Sequence, residues 1–225
     1  MNIAIVGYGK MGRMIESLAP PYQIAISHRL DIGWSAADLA TRPDAAIEFS
    51  TPEAAPHNLE RLAALGIPVV CGTTGWFAEL DRIRTVFEQH HTALVYSANY
   101  SIGVNVFQRL AAEAALLLKD EAQYEAWAWE IHHSAKKDAP SGTLLQLTAA
   151  MRASGYARRI DESSNRAGAH PGTHEIGFDS AADTITMRHT ARSREGFARG
   201  ALKAATWIKG KQGVHAFADV LFGKA

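Results

Sequence analysis

One cysteine, Cys71, stands in 225 residues. That excludes an intramolecular disulfide framework and makes a reducing compartment, the cytoplasm, the expected setting. Net charge is also lacking: 23 basic residues balance 23 acidic ones with the histidines neutral. A general binder of nucleic acid or membrane surface carries an excess of Lys and Arg, so neither partner is expected. No apolar run approaches the roughly 18 residues of a membrane span. The opening "MNIAIVGYG" enters a strand-like run with no basic leader, and no signal peptide is expected. Repeats and low-complexity tracts are missing too. What remains, 47% hydrophobic and 20% charged, is ordinary for a globular chain of one large or two small domains.

The first hundred residues alternate. Strand-like runs at Ile3–Gly7, Gln23–Ser27, Ala45–Ser50, Pro68–Gly72 and Ala93–Ala98 are separated by helical stretches at Lys10–Leu18, Pro52–Leu65 and Trp76–His90. This order predicts parallel βαβ units, whose ligands bind at the carboxyl ends of the strands. After "SANYSIGVN" the pattern changes. A long helix is expected over Val104–Lys119, then a half-buried strand in "YEAWAWEIHH", with Trp127, Trp129 and Ile131 on one face and Ala126, Ala128 and Glu130 on the other. A helix over Ser141–Ser154, a loop over 155–172, a hairpin of "THEIGFDS" and "TITMRHTA" turning near Ala182 and Asp183, and a helix over Gly196–Lys209 follow. The predicted fold class is α/β: an N-terminal Rossmann-like parallel sheet with a second α+β domain built on an open mixed sheet. The first domain is placed at 1–103, with a segment of about 194–225 returning to it, and the second at 104–193.

"VGYGKMG" sets Gly7, Gly9 and Gly12 as G-x-G-x-x-G between the first strand and its helix. In that spacing the first glycine allows a tight turn, the second lets a pyrophosphate approach the backbone, and the third lets helix and strand pack. Free N–H groups at the helix start then face the phosphate. The second strand ends in "SHR", Ser27 to Arg29, where an acid would hold a ribose 2′-hydroxyl. Arg29 suits a 2′-phosphate, so NADPH is favoured, with NADH as the other choice. Ser50-Thr51, "GTTG" (Gly72–Gly75) and "SANYS" (Ser97–Ser101) place small polar groups at three more strand ends. Cys71 is read as a small buried residue rather than a nucleophile.

The stretch "EIHHSAKKDAPSGT" concentrates titratable groups. Alternation sends His132 and His133 to opposite faces unless the strand ends there. Pro140 prevents an earlier helix start, Ser141 is a capping residue, and the N–H groups of Gly142 and Thr143 then point outward as a carboxylate site. Lys136 and the histidines add charge and proton donors, which suits a small dianionic substrate that takes up a proton as hydride arrives from a cofactor. Read alone, the same residues also fit a basic surface loop with a capped helix. Adjacent histidines without a third ligand at useful spacing are a poor zinc site, and no metal is expected.

This stretch resembles the signature of the dihydrodipicolinate reductase family, approximately E-x-H-H-x-x-K-x-D-A-P-S-G-T. It fits at Glu130, His132, His133, Lys136, Asp138, Ala139, Pro140, Ser141, Gly142 and Thr143. "VGYGKMG", "GTTG", "SANYSIGVN" and the segment Arg188–Ile208 are similar as well, so the resemblance spans nearly the whole chain. It implies a dinucleotide-binding domain, a substrate domain, assembly as a homotetramer through the second domain's sheet, and reduction of a cyclic dicarboxylate by NADH or NADPH. By motif position His132 would be the proton donor and Lys136 its catalytic partner. His133, Gly142 and Thr143, with Ser141 in the same turn, would bind substrate carboxylate. Gly7, Tyr8, Gly9, Lys10, Met11 and Gly12, then Gly72, Thr73 and Thr74, then Ser97, Ala98, Asn99 and Tyr100 would contact the nucleotide, with Arg29 and Ser50 added from the strand ends. Arg166, His174 and Arg194 receive no role. Domain closure is expected about segments near Gly103 and Ser193. The rival expectations are another NAD(P)-dependent amino-acid or imine dehydrogenase of similar architecture, and a nucleotide sensor without chemistry.

Overall fold

The computed structural model describes residues 1–223. The backbone divides into two compact units, residues 1–102 with 195 onward, and residues 103–194. The last two residues of the expected returning segment lie outside the described residues.

The first unit is a six-stranded sheet in the order β10-β5-β4-β3-β1-β2. Its strands are β1 (Asn2–Val6), β2 (Ala25–Leu30), β3 (Ala45–Glu48), β4 (Val69–Cys71), β5 (Ala93–Tyr96) and β10 (Gly213–Ala216). Every pairing is parallel. Helices α1 (Lys10–Leu18), α2 (Ala55–Ala64), α3 (Leu80–Gln89), α6 (Glu195–Ile208) and α7 (Phe217–Phe222) complete it. The central strands read as unbroken β-branched and alanine runs because both faces are covered. One core gathers Ile3, Ile5, Ile47 and Val95 under α1 and α6, and the other gathers Ala4, Val6, Leu59 and Ile83 under α2 and α3. Gly200 lets α6 lie close: a Cβ there would fall 1.8 Å from the Tyr100 carbonyl oxygen.

The second unit holds α4 (Ile102–Leu118, entering from Gly103), β6 (Glu125–His132), α5 (Gly142–Ala153), β7 (Ile160–Arg166), β8 (Thr173–Asp179) and β9 (Thr184–Thr190). Its sheet runs β7-β6-β8-β9, parallel only between β6 and β7. Helix α5 is the crossover that this parallel pair requires. On one sheet face Ala126, Ala128, Ile160, Ile176 and Phe178 pack under Phe107 and Ala111 of α4 and Leu144, Leu147 and Met151 of α5. The opposite face keeps Trp127 and Trp129 half-exposed. There the Trp127 ring covers Gly177, and the Arg188 guanidinium lies over Trp129.

Two expectations are corrected. The segment expected to be one loop contains β7. Its sequence "IDESSNR" hides the strand because an edge strand needs only one neighbour, and its inward side chains Ser164 and Arg166 meet polar partners. The second strand runs on to Leu30 rather than ending at Ser27. The register jumps from Ile3↔Ile26 to Ala4↔His28, so Ser27 is an extra residue that delays the strand's end.

Candidate active site

All the strand ends predicted to hold nucleotide lie at the carboxyl edge of the first unit's sheet. Gly7 turns the chain at φ +88°, and a Cβ there would fall 2.1 Å from the Phe49 carbonyl oxygen. At Gly12 a Cβ would meet the Gly7 oxygen at 2.7 Å. Gly9 differs: a Cβ there would meet nothing within 4 Å. It is also the N-cap of α1, with no side chain capping the helix. Open space above an uncapped helix start is what a pyrophosphate requires, so the residues present fit a dinucleotide. Lys10 is exposed, and Met11 is half-buried against the core.

Beside this turn a cleft of about 340 Å³ is lined by Gly7, Asp31, Gly33, Trp34, Ser50 and Asn58, among others. Beneath it lies a buried carboxylate that the sequence reading passed over. Glu48 accepts from the Ser50 hydroxyl and, at 3.2 Å, from the Ser50 N–H. Asn58 Nδ2 and Cys71 Sγ donate to the same carboxyl at 3.3 and 3.2 Å. Burial, then the neighbouring Glu48 charge, push the Cys71 thiol well up, which disfavours the nucleophilic thiolate. Asn58 Oδ1 accepts from Trp34 Nε1 at 2.8 Å, and Thr73 Oγ1 accepts from Ser50 N at 2.8 Å. Gly72 rests against the Phe49 ring, Thr74 and Ala98 are exposed, and Ser97 braces the backbone of Asn99.

Two residues expected to contact nucleotide have their side chains engaged within the protein. Tyr100 is 2% exposed, and its hydroxyl donates to the carbonyls of Cys71 and Val95. Its ring packs on Phe217, so the side chain belongs to the core. Arg29 sits within β2, and its guanidinium donates to Glu16 through Nε at 3.0 Å and through Nη2. Tyr8 hydrogen-bonds the same carboxylate, and Arg29 with Tyr8 holds the Glu16 carboxyl below its usual range. The residue that follows the strand is Asp31, exposed at the mouth of the cleft.

The second unit's chemistry gathers at one end of its helix-covered sheet face. Strand register places Ser164 and His174 opposite Glu130, and Arg166 opposite His132. Glu130 is fully buried. Its Oε1 accepts from Ser141 N at 2.8 Å, Ser164 Oγ at 2.9 Å and Arg166 Nη2 at 2.9 Å. Its Oε2 accepts from Ser141 Oγ. Burial pushes this carboxyl up, but the bonds from Ser141, Arg166 and Ser164 outweigh it and hold the group at about 2. His132 Nδ1 and His174 Nε2 flank Oε2 at 3.4 and 3.3 Å. Burial lowers the proton affinity of both histidines. For His174, with His132 beside it, the value falls to about 4. For His132, Glu130 opposes the fall while Lys136 and Arg166 add to it. Glu130, His132 and His174 offer atoms within 4.8 Å of one another. Because the Arg166 guanidinium already sits on Glu130 and would repel a cation, we read the set as a hydrogen-bonded network rather than a cation site.

Strand β6 ends at His132, which points inward, and His133 is half-buried beyond it. Lys136 Nζ donates to both Asp138 oxygens, at 2.8 and 2.9 Å. Lys136 first, with the Gly142 N–H in support, holds the Asp138 carboxyl below its usual range. Ser141 caps α5, its Oγ accepting from Leu144 N at 3.2 Å. It is 2% exposed, and its hydroxyl and N–H both donate to Glu130. Gly142 is exposed and Thr143 half-buried at the same helix start. Motif reading overlooked Ser164, Arg166 and His174 as partners because they lie on two other strands.

An open glycine turn on a parallel sheet, with a cluster of imidazoles and an ammonium on the second unit, defines a two-domain nicotinamide-dependent oxidoreductase. Family models described as dihydrodipicolinate reductase N-terminus and C-terminus match residues 1–100 and 103–221. The chain is 37% identical to a 4-hydroxy-tetrahydrodipicolinate reductase of Christiangramia forsetii and 35% identical to one of Thiobacillus denitrificans, over 98% of each chain in both cases. Its fold is similar to that of a dipicolinate-bound dihydrodipicolinate reductase from Paenisporosarcina, with TM-score 0.81 at 18% identity over 96% of this chain and 97% of that one. An aspartate dehydrogenase from Thermotoga maritima shares the fold more distantly, with TM-score 0.52 at 11% identity over 94% and 97%. The chain belongs to the dihydrodipicolinate reductase family.

Proposed function

We propose that this protein reduces 4-hydroxy-2,3,4,5-tetrahydrodipicolinate to 2,3,4,5-tetrahydrodipicolinate with a reduced nicotinamide nucleotide, in lysine and diaminopimelate biosynthesis. The observation that carries the site assignment is the seat of Asp138. Both oxygens of one carboxylate already accept from the Lys136 ammonium, at 2.8 and 2.9 Å, so the loop before α5 presents a cation suited to a carboxylate of the substrate. By their motif positions, His133 and Thr143 are assigned to the same dianion site. The relative bound to dipicolinate, a planar cyclic diacid, supports the same substrate class.

The bound nucleotide supplies hydride. Gly7, Gly9 and Gly12, with the start of α1, hold its pyrophosphate. Ser50, Gly72, Thr73 and Thr74, with Ser97, Ala98 and Asn99, border its ribose and nicotinamide. Lys136 orients and charge-balances the diacid. Loss of water from the hydroxylated ring leaves a conjugated imine. As hydride reaches one ring carbon, His132 gives its proton to the neighbouring carbon, and the imidazolium becomes neutral imidazole. For the coenzyme, the engagement of Arg29 by Glu16 and the place of Asp31 after β2 support NADH over NADPH, against the preference read from "SHR".

We also place the enzyme in the cytoplasm and as a homotetramer, built through the open sheet face of Trp127, Trp129 and Arg188. The single buried cysteine and the half-exposed tryptophans support these readings. Among the described residues no helix is long and apolar enough to cross a membrane.

The deciding assay supplies the condensation product of aspartate semialdehyde and pyruvate and follows nucleotide oxidation. Oxidation that depends on this product is expected. His132→Gln and Lys136→Ala should each cut turnover on the order of 10²-fold or more, with nucleotide Kd unchanged. Wild-type turnover in both variants would discard the residue roles, and no oxidation by the wild type would discard the reaction.

A further inference from the structure

Two nitrogens on different strands share one carboxylate oxygen. Oε2 of Glu130 has His132 Nδ1 at 3.4 Å on one side and His174 Nε2 at 3.3 Å on the other. The two rings meet edge to face at 5.0 Å between centroids. His132 is 8% exposed, and its Nδ1 is buried with no hydrogen-bond partner. The carboxylate oxygen, at 3.4 Å, is one short adjustment away from accepting its proton. The other nitrogen, Nε2, faces Gly172, where a Cβ would fall 2.9 Å from it. Glycine thus leaves room at the working end of the ring.

We propose that Glu130 and His174 are positioning residues for the proton donor: Glu130 Oε2 takes the Nδ1–H of His132, and His174, neutral, donates its Nε2–H to the same oxygen. The proposal rests on the assignment of His132 as donor. In the step, the Nε2–H bond of the His132 imidazolium breaks, the proton joins the ring carbon next to the one that received hydride, and the Nδ1–H tautomer remains on Glu130. Solvent then returns a proton to Nε2. Glu130 is needed because Lys136 and Arg166, together with burial, all disfavour an imidazolium at this place, and Asp138 alone opposes them from the loop. His189 is a further titratable neighbour, facing His174 from β9. The role of His174 is to keep the carboxylate an acceptor: with Ser141, Ser164 and Arg166 also donating, Glu130 does not draw the proton off His132. This is the arrangement by which a buried acid fixes the tautomer of a working histidine.

Two measurements test it. In the wild-type protein, ¹⁵N NMR of the imidazoles should show neutral His132 as the Nδ1–H tautomer. The Nε2–H tautomer would overturn the proposal without touching the assignment of His132. Second, pH profiles of kcat should place the basic limb of Glu130→Gln about one pH unit below the wild type. Turnover at neutral pH should fall about tenfold with it, while nucleotide Kd stays unchanged. Glu130→Asp, which keeps the charge, and His174→Gln, which keeps an N–H donor, should return the limb toward the wild-type position. A limb that does not move in folded Glu130→Gln would reduce Glu130 to a packing role. Near-wild-type turnover in His132→Gln would instead remove the parent reading.

Discussion

Arg29 and Glu16 form a two-point ion pair, Nε to Oε2 at 3.0 Å and Nη2 to Oε1, on the outer side of the glycine turn. The pair closes because Ser27 bulges from β2 and moves Arg29 one place back into the strand. Glu16 on α1 then lies within reach. A 2′-phosphate would have to compete with this carboxylate for the guanidinium, and Asp31 would repel it.

The consequence for coenzyme choice is measurable. Asp31→Ser should raise KM for NADH about tenfold, the scale of one hydrogen bond to a charged group, and should lower KM for NADPH. Equal changes for both coenzymes would remove Asp31 from the ribose site. Replacement of Arg29 by Ala should alter either KM by less than about threefold, as an exposed ion pair contributes little.

Gly9 separates binding from folding. A methyl group there meets no protein atom within 4 Å, and the backbone sits at φ −85°, so Gly9→Ala should melt within about 2 °C of the wild type. It should nevertheless lose nucleotide affinity by at least tenfold, since the methyl occupies the place of the pyrophosphate. Calorimetric titration with NADH reads the second quantity. Unchanged affinity would show that the phosphates lie elsewhere.

At Gly172 the same substitution should act on the chemistry. The backbone stands at φ +136°, and the new Cβ would press on His132 Nε2. Gly172→Ala should cost about 1–3 kcal/mol of stability through backbone strain and lower kcat with nucleotide Kd preserved. If kcat is retained in a folded variant, Nε2 is not the atom that reacts.

Stability should fall with acid in two stages. His174 titrates near 4 in the fold against an ordinary 6.5. Between these values the unfolded chain binds more protons, so stability rises with pH across that window, by up to about 3 kcal/mol. His132 and His189 are lowered as well and steepen the same stage. Glu130, held at about 2 against an ordinary 4.5, stabilises fully above the ordinary value and loses that contribution as pH falls through 2. Urea midpoints measured from pH 7 to 3 should show the upper stage, and His174→Gln should flatten it. Parallel curves for the two proteins would mean that His174 is not buried neutral.

The amino-acid order alone determined the alternation of strands and helices, the glycine turn and the cluster from Glu130 to Thr143. These are local: each depends on the period of apolar residues or on side chains within one turn of chain, and both survive in a one-dimensional reading. Tertiary structure decided what depends on register. A single bulge at Ser27 put Asp31 rather than Arg29 at the mouth of the cleft. The polar edge strand β7 formed because β6 offered it a partner, not because its own sequence alternates. Ser164, Arg166 and His174 became neighbours of Glu130 through pairings that span 34, 36 and 44 residues. A buried charge needs several donors at once, and only pairing between distant strands brings that many to one carboxylate.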